Sequence, residues 1–145
     1  MHEEASLFHS LVGAWDFERV VSGQGAMTGR AVFSPEGPDL MHYREDGVLT
    51  LDHGGRFDFF RDYDYRLSGE GIAVAFTDGR PFHRLLFDPA AEGYPRRATA
   101  GHACEADLYR GIYCFEGPDR YAVEWGVTGP RKDYTIRTRF ARRGL

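Results

Sequence analysis

Lysine is almost absent from this 145-residue sequence: Lys132 is the only one among 18 lysines and arginines. Cysteine is nearly as scarce. Cys104 and Cys114 are too few for the disulfide framework of a small secreted protein. No apolar run approaches the ~18 residues that cross a bilayer, and the first residues carry no basic-then-apolar leader, so a soluble, cytoplasmic protein is expected, with no membrane partner. Positive charge is not in excess either. Eighteen basic against 22 acidic residues leave a formal net charge of −4, which argues against nucleic acid, whose affinity rests on phosphate contacts. Linkers, repeats and low-complexity tracts are missing, which points to one domain over residues 1–145.

Aromatic residues and turn formers are abundant. Phe, Tyr and Trp make up 14% of the chain, and Gly 18 and Pro 7 are spread along it. Ala5, Phe8, Leu11 and Val12 fall at helical spacing, predicting a short helix near the start, with Ser6 as a candidate cap and Gly13 as its end. Beyond it the pattern alternates with period two. Segments at 15–22, 25–34, 40–45, 48–53, 56–66, 71–77, 81–88, 98–105, 108–116, 120–127 and 133–142 are separated by turn signals such as Asp46-Gly47, Gly54-Gly55 and Asp78-Gly79. This predicts an all-β protein, a single up-and-down antiparallel barrel of about ten strands with a short N-terminal helix. A barrel of that width can enclose a ligand.

Strand alternation also assigns faces. Phe57, Phe59, Arg61, Tyr63 and Tyr65 share one face, where Arg61 would stack among aromatics, pair with Glu45 or steer an anionic ligand. A one-residue slip would move Tyr43 and Glu45 to the other face. A two-residue turn at Asp78-Gly79 would put His83 opposite Val74, Phe76 opposite Pro81 and Ile72 opposite Leu85, leaving His83 on an apolar face. A tight turn at 105–106 would set Cys104 opposite Asp107 and His102 opposite Tyr109. That cluster reads as a hydrogen-bonded network around a buried thiol, as a zinc half-site, or as a thiol with a histidine base. Neither Cys-x-x-Cys nor His-x-x-x-His supplies further metal ligands. Lys132, after Gly129-Pro130, is either a solvated turn charge or a compact cation at the barrel mouth.

Gly13-Ala14-Trp15 at the first strand, together with Arg137, Arg139 and Arg142 in the last, resembles the calycins, the superfamily of lipocalins and fatty-acid-binding proteins. The resemblance implies a tryptophan closing the barrel base with a late arginine packed across it. Gly79-Arg80-Pro81-Phe82-His83, His102-x-Cys104-x-x-Asp107-x-Tyr109 and Trp125-x-Val127-x-Gly129-Pro130-Arg131-Lys132-Asp133-Tyr134 resemble an uncharacterised bacterial and fungal family of calycin-like domains. A more distant similarity to the haem-binding nitrobindin barrels implies a late haem-ligating histidine, and here no histidine follows His102.

The function expected is a barrel holding a small, partly apolar, anionic ligand. Phe57, Phe59, Tyr63, Phe76 and Trp125 would line it, and Arg61, His83, His102, Tyr109 and Lys132 would orient it. The alternatives are a barrel enzyme with His83 or His102 as general acid–base, a haem- or metal-binding barrel, and a polar cluster that merely ties strands together beneath a protein-binding surface. No motif names a cofactor. A small molecule is the expected partner, and a homodimer is left open.

Overall fold

The structure, a computed structural model, describes residues 2–88, 93–104 and 106–144, with the side chains of all but 2, 3, 103 and 104. A helix, α1 (His2–Ser10), precedes ten strands: β1 (Gly13–Val21), β2 (Gly25–Gly37), β3 (Leu40–Leu51), β4 (Arg56–Ser68), β5 (Gly71–Ala75), β6 (Pro81–Phe87), β7 (Arg96–Cys104), β8 (Asp107–Gly117), β9 (Arg120–Gly129) and β10 (Lys132–Arg142). Each pairs antiparallel with the next, and β1 closes on β10 to complete an up-and-down barrel. The period-two pattern does this work. On β1, Trp15, Phe17, Arg19 and Val21 are buried while Asp16, Glu18 and Val20 face out.

Helix α1 stops one end. Leu7 and Phe8 of the helix and Leu11 just after it are buried in the same apolar cluster as Phe33, Met41 and Phe115. The Trp15 Nε1–H donates to the Leu11 carbonyl at 3.0 Å. Arg142 lays its guanidinium 4.3 Å from the Trp15 ring centroid and donates to the carbonyls of Ser10 and Pro118. Of the three late arginines, Arg142 is thus the one that crosses the tryptophan. Ser6 lies within α1 rather than capping it, since the helix already starts at His2. No described helix is long and apolar enough to cross a membrane.

Two turn signals act differently from expectation. Asp46-Gly47 does not turn; β3 runs through it, which merges two of the eleven segments into one strand. Gly47 is there for close approach: a Cβ on it would lie 2.4 Å from the Thr28 carbonyl oxygen and 3.0 Å from the Phe59 ring. At the β5–β6 hairpin the loop holds three residues, 77–79, closed by Phe76 N–H to the Arg80 carbonyl at 2.9 Å, with Gly79 at φ 94°. Pro81 therefore faces Ala75, not Phe76. A bulge between Val74 and Ala75 then absorbs the extra residue, so Val74 still faces His83 and Ile72 faces Leu85.

Candidate functional site

The centre of the barrel is polar before it is hollow. Arg19 on β1 and Glu45 on β3 form a bidentate ion pair, Nη1–Oε1 2.9 Å and Nη2–Oε2 2.7 Å. The Arg19 Nε–H donates to Thr138 on β10 at 2.8 Å, and the Tyr43 hydroxyl donates to Glu45 Oε2. Burial opposes the charge of both partners. It is outweighed by their mutual hydrogen bonds and attraction, which hold Glu45 below and Arg19 above their ordinary values. Arg61, directly opposite Glu45 in the ladder, brings its Nε within 3.7 Å of Oε1 while its side chain stays 42% exposed. Tyr43 and Glu45 thus both face inward, which settles the register the sequence left open.

This network forms part of the wall of a cavity of about 240 Å³, otherwise lined largely by aromatic rings. Arg61, Tyr63, His83, Tyr109 and Trp125 line it, five of the residues singled out from sequence. The β5–β6 bulge explains why Phe82 and His83, though adjacent, both line it. Trp125 fits because it faces Gly111, where a Cβ would sit 2.9 Å from three atoms of the indole. Gly111→Ala is expected to push Trp125 from its place at a cost of about 1–3 kcal/mol. Urea unfolding and the red shift of Trp125 emission would measure it, and an unchanged spectrum and midpoint would refute the packing argument.

Other expected residues stand off the lining. His102 faces Tyr109 across the β7–β8 ladder, and its Nδ1 engages the Phe82 carbonyl at 2.9 Å. Lys132 pairs with Asp107 at 2.9 Å and donates to the Tyr109 hydroxyl at 3.2 Å, which holds its ammonium above the usual lysine value. Phe57 is 54% exposed, Phe59 packs against Phe17, and Phe76 stacks on Phe82 and meets Tyr63 at a tilt, off the lining. Cys104 faces Asp107 by backbone register, and its side chain lies outside the described residues. Cys114 faces Arg97, seven rungs from Cys104 or roughly 23 Å, so the two do not pair within the chain. Among the described residues no group of three His, Cys, Asp or Glu gathers to hold a metal.

His83 carries the most distinctive chemistry of the lining. Its Nε2 lies 3.0 Å from the Tyr113 hydroxyl, and its Nδ1 is buried with no hydrogen-bond partner. Burial, reinforced by His102, pushes its pKa down to about 4, so the ring is neutral at pH 7. The Tyr113 hydroxyl is itself fully enclosed. Burial raises its pKa, against the opposing effect of its interaction with the Tyr65 hydroxyl.

Sequence reasoning singled out neither Arg19 nor Thr138, although the alternation Trp15-Phe17-Arg19-Val21 already puts Arg19 on the inner face. Thr138 sits between Ile136 and Phe140 in the same way.

Residues 11–142 match the model of a family of unknown function, DUF6314. No curated protein matches the sequence. Among solved structures the chain is similar to the S-type phycobiliprotein lyase CPES from Guillardia theta, with TM-score 0.58 and 9% identity over 98% of this chain and 96% of that one. It is also similar to EF1p2_mFAP2b bound to DFHBI, with TM-score 0.53 and 10% identity over 97% and 99%. At these identities the likeness is one of fold.

Proposed function

The chain belongs to the DUF6314 family, and from its cavity we propose that it is a small-molecule-binding barrel of calycin type whose ligand is partly apolar and anionic. One observation carries this reading: a cavity walled by aromatic rings also holds two arginines against one carboxylate, Arg19 and Arg61 against Glu45. Arg19 and Glu45 satisfy each other. Arg61, half-exposed and 3.7 Å from an already paired carboxylate, retains donors for a monoanion. Tyr63, Tyr109 and Trp125 supply the apolar contact. The two similar barrels fit this reading, one being bound to DFHBI and the other a phycobiliprotein lyase.

The test uses 2-naphthoate and its neutral counterpart 2-naphthamide, titrated by calorimetry and tryptophan quenching. The carboxylate is expected to bind with a dissociation constant on the order of 10 µM, about 0.5 kcal/mol per non-hydrogen atom. The amide should bind roughly ten-fold more weakly, and Arg61→Met should bring the two within about three-fold. If neither compound binds below about 1 mM, the proposal is wrong.

A further inference from the structure

One deeply buried hydroxyl in the cavity wall has no partner in the protein. Tyr121 on β9 lines the cavity and is 4% exposed. Its hydroxyl forms no hydrogen bond with the described residues. It is also not one of the polar atoms that packing seals off, so its open surface belongs to the cavity. The ring has little freedom to turn the hydroxyl elsewhere. It stacks on Phe140 at 4.2 Å and on Phe115 at 5.1 Å, and it meets Trp15 edge-on at 5.0 Å. Burial, with Tyr113 and Glu45 nearby, holds the phenol well above its ordinary value, so it stays a neutral donor. Whatever fills the cavity serves this hydroxyl, whether water or a group on the ligand. A guest that displaces the water without replacing its hydrogen bond loses affinity.

Position along the barrel sets which end of a guest Tyr121 meets. Trp15, against which it packs, lies at the end stopped by α1. Tyr65 is near that end too, its ring 5.1 Å from that of Phe33. Arg61 precedes Tyr65 by four residues on β4, roughly 13 Å along the strand towards the open end, and its side chain is 42% exposed. The two polar contacts therefore address opposite ends of one molecule. The volume of about 240 Å³ exceeds the ~150 Å³ that encloses a benzene ring, which leaves room between them for a body of naphthalene size.

We infer that the ligand lies along the barrel with its acid outward at Arg61, and that its buried tip carries a neutral hydrogen-bond acceptor received by the Tyr121 hydroxyl. This rests on the cavity-binding reading proposed above. It makes Tyr121 the specificity-determining residue of the closed end, separating acceptor-tipped acids from hydrocarbon analogues of the same size and charge.

The test pairs 2-naphthoate with isoquinoline-6-carboxylate, in which a nitrogen replaces the CH diagonally opposite the carboxylate. Wild type should bind the isoquinoline about five-fold more tightly. In Tyr121→Phe the order should reverse, because the nitrogen then loses water without gaining a donor. A second readout needs no variant: the nitrogen-15 signal of labelled isoquinoline should keep close to its aqueous position on binding, since one donor replaces another. Equal binding of the two acids by wild type, a preference that survives in Tyr121→Phe, or a downfield move of that signal towards its value in hydrocarbon solvent would each overturn the inference while leaving the cavity reading intact. If neither acid binds, the cavity reading itself fails.

Discussion

Replacing Glu45 with alanine is expected to destabilise the barrel by about 3–5 kcal/mol. The carboxylate is 3% exposed and takes two hydrogen bonds from Arg19 and one from Tyr43. Its removal leaves the Arg19 guanidinium buried, still held by Thr138 but with no countercharge except solvent at the cavity. Breaking one half of a buried pair costs far more than the pair contributes, because desolvation of the survivor is no longer compensated. The double variant Arg19→Met/Glu45→Leu should accordingly recover most of the loss. Urea unfolding of the three proteins measures both quantities, and a single variant within about 1 kcal/mol of wild type would show that the pair is not load-sharing. The sign with pH follows from the depressed Glu45 value. Its contribution is full above the unfolded-state pKa and disappears as pH falls through the folded one, so the Glu45→Ala curve should be flatter in acid.

Acidification should also destabilise the protein through His83, by about 3 kcal/mol between pH 6.5 and 4. The group titrates near 4 when folded, against an ordinary value of 6.5. Above pH 6.5 the ring is neutral in both states and contributes no pH dependence. Below that the unfolded chain takes up a proton which the native state refuses, and stability falls by about 1.4 kcal/mol per pH unit until the folded ring protonates too. His83→Gln removes this process and leaves the other histidines in place. The difference in unfolding free energy between wild type and variant should therefore change by about 3 kcal/mol over that interval. Parallel curves would show that His83 is not held neutral.

The barrel was legible in the sequence because period-two alternation is a local property. Trp15, Phe17, Arg19 and Val21 point inward whatever their neighbours are. The reading failed where backbone geometry departs from the local rule. Asp46-Gly47 carries the composition of a turn, yet Gly47 is required by the approach of the neighbouring strands. The three-residue loop at 77–79 and the bulge at β5–β6 shift the register in opposite senses, so the expected His83–Val74 pairing emerged from a hairpin otherwise misread by one residue.

By itself the sequence determined the class of fold, the inward set of side chains on most strands, and the rung that sets His102 against Tyr109. Tertiary structure alone decided which inward groups meet. Arg19 and Thr138 are 119 positions apart and touch because β1 closes on β10. Arg61 stands opposite Glu45, but Arg19 is the partner that carries the ion pair. Lys132, the lone lysine, turns to Asp107 and Tyr109 rather than lining the cavity. Alternation specifies the side of the sheet a residue faces and nothing about the strand across the barrel. The contact of His83 on β6 with the Tyr113 hydroxyl on β8, two strands that are not neighbours in the sheet, exists only once the sheet has curved into a barrel.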